Sequence, residues 1–492
     1  MISYLKKMGS YYWLIGLALS IGVYLPTFDI EYSKYILLGS LFVSLVAPIA
    51  ARFFRKDLDV FEPLLFFVIL YFFFFFLKSF FVVFYPEMFH YSEYISPEFD
   101  SSIIRYTLGY LIIGILSFYA GYYLKIGGIL GRNFPTFSRG WHSLNVKVVV
   151  ILFSIIAVCS IFVFMKIAGS ITYYLTHIYI RGEIARKGGG YLLWGGLFGI
   201  EAVLILYAHF LSRRMTNYMV FLVFALTIAG MYLLLGSRIF FIYVFLGILV
   251  IYNFQMRRIS LRDLTLLSMI LVTVVIFVGI SRNVLGGGTQ AIHEVILGEV
   301  SDSESVLHTI FRFLNPDTIN YDNFMIVLSG VPSLLNYQYG LTYLHLLIYP
   351  IPRFLWQSKP SPLGTGIFTE FFFPGEYFAG VTKGISLPGE LYLNFGILGI
   401  FGGMFLFGIF LRGLNRYIEL NRSNPKAILF YTTALLPLIE AMRGGIFIYA
   451  QYLGMFWIPL FFALRYIERR SSHLSTPSYA QQNDLIKGKR TG

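Results

Sequence analysis

The sequence predicts an all-α polytopic integral membrane protein, and three observations carry that fold class. Apolar residues fill 57% of the 492 positions, charged residues only 13%, and the mean hydropathy is +0.71. Soluble domains carry about 25% charged residues. Apolar runs such as Leu64–Phe84, with its block of five consecutive phenylalanines at 72–76, are as long as a bilayer span requires. Lys and Arg then gather on one side of successive runs, as they do where short basic loops stay in the cytoplasm.

Taken in order, the apolar windows predict twelve spans: Tyr11–Leu25, Tyr35–Ala51, Leu64–Tyr85, Tyr106–Leu124, Val148–Ala168, Tyr191–Leu211, Tyr218–Leu235, Ile239–Phe254, Leu264–Ile280, Leu391–Leu411, Ala427–Ala441 and Ile446–Leu464. The N-terminus, with Lys6 and Lys7, leads into the first window without a small-residue cleavage site, which predicts a retained span. With both termini cytoplasmic, 24 of the 38 basic residues lie inside against 7 acidic ones, and 12 lie outside against 16. Topology and anionic inner-leaflet lipid therefore account for the net charge of +13, with no call for nucleic acid. The single cysteine, Cys159, excludes an intrachain disulfide and any zinc site built on two cysteines.

This order divides the chain into spans one to nine over 1–281, a large outer loop over 282–390, spans ten to twelve over 391–470 and a polar tail over 471–492 that reads as disordered. The outer loop is the longest extramembrane piece, 109 residues from Arg282 to Glu390. Its apolar stretches Val306–Leu314, Phe324–Leu335 and Leu341–Trp356 predict short interfacial helices, the last broken by Pro350 and Pro352.

Several function classes lack motif support. There is no Walker-type phosphate loop, no dinucleotide-binding glycine fingerprint and no His-Glu-x-x-His zinc motif. Asp57-Leu58-Asp59 has the look of a nucleotide-sugar metal motif but sits in a short, basic inner loop and reads as a solvated turn. Asp302 and Glu304 supply too few ligands for a cation. Neither a metal nor a cofactor is expected.

The arginines that break the positive-inside pattern say more. Arg238 follows Gly236-Ser237 where the eighth span opens, and Arg443 precedes Gly444-Gly445 where the twelfth opens. A helix N-terminus offers free N–H groups and a positive dipole, glycine lets an anion approach the backbone, and a guanidinium grips phosphate oxygens in a fork. A phosphate site at the outer face is the implication, with Arg282, Arg353 and Lys359 as further contributors; singly, each also suits snorkelling to headgroups. Glu390 opens the tenth span, where it reads either as a helix cap or as a general base. Glu440 and Arg443 are spaced for an intrahelical ion pair, and Lys78 and Glu201 are candidates to pair across the bundle, which the sequence alone does not show. Aromatic residues crowd the outer loop, as an interfacial belt or as platforms for sugar rings.

Tyr339-Gly340-Leu341-Thr342-Tyr343, the stretch Pro350-Ile351-Pro352-Arg353 through Trp356 to Lys359-Pro360, and Gly389-Glu390-Leu391-Tyr392-Leu393-Asn394-Phe395-Gly396 with Gly399 together resemble the Wzy-type O-antigen polymerases, which join oligosaccharide repeat units. Gly236-Ser237-Arg238 and Arg443-Gly444 resemble that family too, and the resemblance spans the architecture of many apolar helices with one large late outer loop. It implies a glycosyltransferase of the bacterial inner membrane that uses undecaprenyl-pyrophosphate-linked oligosaccharide, transferring the growing glycan to the terminal sugar of an incoming unit to build O-antigen, capsule or exopolysaccharide. The lipid bilayer and a chain-length regulator protein are the implied partners. Under the resemblance, Arg238, Arg353 and Arg443 neutralise charge on the pyrophosphate leaving group, Glu390 is the candidate base, and Arg282, Lys359, Tyr392 and Asn394 line the substrate. An O-antigen ligase and a lipid-linked oligosaccharide flippase are the competing expectations.

Overall fold

The computed structural model describes residues 32–85, 101–167, 169–177, 181–184, 189–213, 218–260, 262–263, 265–267, 306–351, 355–356, 364–378 and 380–468. Among the described residues the protein is all-helical, and eight helices are long and apolar enough to cross a bilayer. These are α1 (Ser33–Phe54), α2 (Pro63–Phe84), α3 (Ser101–Tyr122), α4 (Ser143–Ile167), α5 (Gly190–Arg213), α7 (Arg238–Gln255), α10 (Leu387–Asn421) and α12 (Leu438–Glu468). Apolar α6 (Tyr218–Leu234) is slightly shorter. The predicted first span, all of the ninth but 265–267, the polar tail and the start of the outer loop lie outside the described residues.

The helices approach closely where glycine removes the side chain. Hydrocarbon surroundings supply no hydrophobic drive between helices, so association rests on packing, and small residues let backbones meet. A Cβ on Gly121 would strike the Phe405 carbonyl, and one on Gly408 would strike that of Phe118, which locks α3 beside α10. Aromatic rings fill the remaining space: Phe67 stacks on Phe118 with centroids 4.0 Å apart. The five phenylalanines 72–76 form a π-helical turn within α2, two residues before Lys78.

Two helices are broken, and both breaks reverse the chain. In α12, Gly445 takes φ +90°, ψ −170°, a region essentially open only to glycine. The chain before it, α11 (Pro425–Leu435) and 438–444, runs antiparallel to 446–468: Tyr449 Oη donates to the Ala434 carbonyl at 3.1 Å, Trp457 stacks on Phe430, and Lys426 meets Glu468 at 3.5 Å. In α10, Phe395 and Gly396 leave helical geometry, and 387–394 folds back on 397–403, with the Leu391 carbonyl against Gly399 and its side chain against Gly403.

This corrects the expected tenth span. Leu391–Leu411 is not one helix; the membrane-long segment begins after Gly396, and 397–421 still reaches about 37 Å at 1.5 Å per residue. The outer loop is also more regular than predicted. Val306–Leu314 and the start of Phe324–Leu335 merge into one helix, α8 (Val306–Gly330). It is tied to α2 by Lys78, whose ammonium meets Asp322 at 3.0 Å, so the expected Lys78–Glu201 pair does not form. Burial pushes the Asp322 carboxyl up, and Lys78 draws it back down. As expected, α9 (Leu341–Ile348) ends before Pro350.

Candidate functional site

The two chain reversals meet. The short segment 387–394 begins at Ser386, whose hydroxyl accepts from the Gly389 N–H at 3.2 Å, a cap that fixes the start of the helix. One turn on, Glu390 is fully buried and projects at the Gly445 apex. Its Oε2 accepts from the Phe447 N–H at 3.2 Å, one of the donors left over where 446–468 begins. A Cβ on Gly445 would lie 2.8 Å from the Glu390 Cβ and Cδ, so only glycine lets the carboxylate reach this helix end. Glu390 Oε1 has no hydrogen-bond partner among the described residues and faces Gly364. Glu390 therefore caps a helix, as its position in the sequence allowed, but the helix belongs to another part of the chain.

Arg443 arrives at the same place. Its carbonyl accepts from the Ser386 N–H at 3.0 Å and lies against Gly384, and the Asn320 amide of α8 reaches both Gly384 and Arg443 carbonyls at 3.1 Å. Its guanidinium is 40% exposed and pairs with Glu440 at 3.6 Å, the intrahelical pair that the spacing predicted. The Arg443 backbone thus lies beside the segment that carries Glu390, while its part-exposed side chain is paired with Glu440.

Asn394 closes the other end of the short segment. Its amide nitrogen donates to Thr342 Oγ1 at 2.8 Å and to the Glu390 carbonyl at 2.9 Å, and its oxygen accepts from the Gly340 N–H at 3.0 Å. The Gln338 and Tyr339 N–H groups cap the Leu393 and Asn394 carbonyls that the break exposes. These partners occupy the Asn394 amide, which holds α9 against the site. Tyr392 stacks on Tyr110 and packs edge-on to Tyr337, forming an aromatic wall beside the Gly396 turn.

Arg238 opens α7, just after Ser237 and the left-handed Gly236. Its neighbourhood holds groups that the sequence alone did not single out. Arg181 donates to the Gly236 carbonyl at 3.3 Å and lies within electrostatic reach of Tyr452, as do Arg443 and Glu440. Tyr452 packs against Trp194 at 4.8 Å and Tyr243 at 6.1 Å, and Trp194 Nε1 donates to Tyr349 Oη at 3.2 Å. Burial pushes the Tyr349 hydroxyl up to about 12. His345 stands edge-on to Phe447 at 5.9 Å. Local spacing could not have found this group, because its members come from five separate stretches of chain. Arg282, Arg353 and Lys359 lie outside the described residues.

Asp57 and Asp59 have structural work to do. Asp57 pairs with Arg52 at 3.2 Å, and Asp59 accepts from Asn253 at 3.1 Å, which ties the turn after α1 to α7. No cluster of three or more metal-ligating side chains exists among the described residues.

As a chemical arrangement, the site offers a buried carboxylate with one oxygen that lacks a hydrogen-bond partner, a part-exposed arginine paired with Glu440, helix N-termini and aromatic faces at one end of a membrane bundle. Discontinuous helices of this kind often line binding sites in membrane proteins. No family model matches the chain, and neither a curated protein nor a solved structure shows significant similarity to it.

Proposed function

We propose that this protein is an integral-membrane glycosyltransferase that polymerises undecaprenyl-pyrophosphate-linked oligosaccharide repeat units into surface polysaccharide, at the periplasmic face of a bacterial inner membrane. The observation that carries the reading is the meeting of Glu390 with the Arg443 turn where the two broken helices reverse. Twelve spans with both termini cytoplasmic complete the proposed topology and put this end of the bundle outside.

In this scheme the acceptor hydroxyl attacks the anomeric carbon of the growing glycan. The bond from that carbon to the pyrophosphate oxygen breaks, and the electron pair leaves with undecaprenyl pyrophosphate. Glu390 Oε1 takes the hydroxyl proton, since Oε2 is committed to the Phe447 N–H. Arg443 and Arg238 neutralise the charge that grows on the leaving group, aided by the positive ends of α7 and of 446–468. Exclusion of water protects the reacting sugar from hydrolysis. Tyr392 and its aromatic neighbours give faces on which sugar rings stack.

The glycan profile of a deletion strain tests the reading. Single repeat units should persist on the surface while long chains vanish, and wild type should restore them. Long chains accumulating on the lipid carrier would instead identify a ligase, and units retained on the cytoplasmic side would identify a flippase; either result overturns the proposal.

A further inference from the structure

At the opposite end of the bundle from Glu390, the end of α1 and the end of α7 enclose a cleft of about 470 Å³, lined by Phe53, Phe54, Lys56, Leu58, Val60, Arg258, Ile259 and Ser260. That volume falls within the roughly 300–1,000 Å³ of ligand clefts. We propose that it seats the phosphate headgroup of an anionic phospholipid drawn from the leaflet at that end.

Charge is the first argument. Arg52 is consumed by Asp57 and by Glu62 at 2.7 Å, whereas Arg258 comes no closer than 3.9 Å to Asp59. Lys56 and the adjoining Arg55 have no ion pair among the described residues. The cleft thus carries surplus positive charge beside apolar walls. Phe53 and Phe54 are 57% and 81% exposed, and they continue the lipid-facing surface of α1 into the cleft mouth. Acyl chain below and phosphate above match this order of apolar wall and cationic head.

The backbone supplies the second, independent argument. Helix α1 ends with the Lys56 N–H donating to the Phe53 carbonyl at 3.0 Å and the Asp57 N–H to the Arg52 carbonyl at 3.2 Å. This double cap requires a left-handed residue at its centre, almost always glycine. Here the centre is Lys56, at φ 57°. A lysine at this strained centre bears a side chain where glycine would relieve the strain, and that side chain lines the cleft.

Lys56→Gly separates the two effects, because it removes the cation and relaxes the turn. The test is native mass spectrometry of the full chain in detergent, titrated with phosphatidylglycerol, with phosphatidylcholine as the zwitterionic control. Wild type should prefer phosphatidylglycerol, and Lys56→Gly and Arg258→Gln should each weaken its binding about five-fold, as expected per basic side chain near a lipid surface. The thermal midpoint of Lys56→Gly should hold or rise. Unchanged phosphatidylglycerol binding in both variants, equal affinity for the two lipids, or displacement of the lipid by millimolar inorganic phosphate would each overturn the proposal, the last by identifying a free-phosphate site.

Discussion

The Phe447 N–H donates to Glu390 Oε2 at 3.2 Å, so the side chain of one broken helix caps the start of another. The contact crosses 57 positions of sequence and joins the two chain reversals. It makes the carboxylate a structural element on one oxygen and leaves the other oxygen without a hydrogen-bond partner among the described residues.

Replacement of Glu390 should separate these roles. Glu390→Gln keeps an acceptor for Phe447 and should fold with nearly the wild-type thermal midpoint in detergent, while long-chain polysaccharide disappears from complemented cells. Glu390→Ala strands a buried N–H, a loss of about 1–3 kcal/mol, and adds a cavity. A lower midpoint for Ala than for Gln, with both inactive, is the expected pattern. Active Glu390→Gln would remove the carboxylate from the mechanism.

Gly445→Ala should cost at least about 3 kcal/mol, because alanine rarely adopts φ +90°, ψ −170° and its Cβ would collide with Glu390. Gly454 lies within 446–468 with open space around it, so Gly454→Ala should be neutral or stabilising by up to about 1 kcal/mol. Thermal unfolding of the two purified variants checks the contrast.

Loss of an arginine at the site should act on the reaction and spare the fold. Arg443→Ala removes a guanidinium that is 40% exposed, and we expect polymer formation to fall about 10²–10³-fold, as when one charge-stabilising donor is lost. Arg238→Ala should behave alike. Membrane insertion, read by fractionation, stays normal in both; polymer of normal length and yield from both would reject the anion site.

Lys78 and Asp322 form a buried pair at 3.0 Å. Truncating either partner alone leaves an uncompensated charge and should destabilise the protein by about 3–5 kcal/mol. The double replacement Lys78→Met with Asp322→Leu should recover most of that loss. A double-mutant cycle on thermal stability measures the coupling, and a cycle that closes additively would mean the pair is not coupled.

Much of the bundle is legible in the sequence. Eight predicted spans fall on long apolar helices, the tenth only after its break at Gly396, because bilayer thickness sets the length of an apolar run and the backbone must satisfy itself as helix inside hydrocarbon. The Glu440–Arg443 pair is legible too, being three residues apart on one helix. The break at Phe395-Gly396 was not: 391–411 is apolar but for Asn394 and a scatter of glycines, and hydropathy does not register a change of backbone direction.

The sequence by itself therefore determined the class of molecule, the placing of eight long apolar helices and the chemical types available at their ends, all of which follow from local composition and periodicity. Tertiary structure alone decided which of those groups meet. Glu390 with Phe447, Lys78 with Asp322 and Arg181 with the Gly236 turn are partners across long stretches of chain. Such pairs are fixed by how glycine-lined helices pack and where the chain reverses, and a buried carboxylate or ammonium takes whichever partner that packing brings within hydrogen-bond reach.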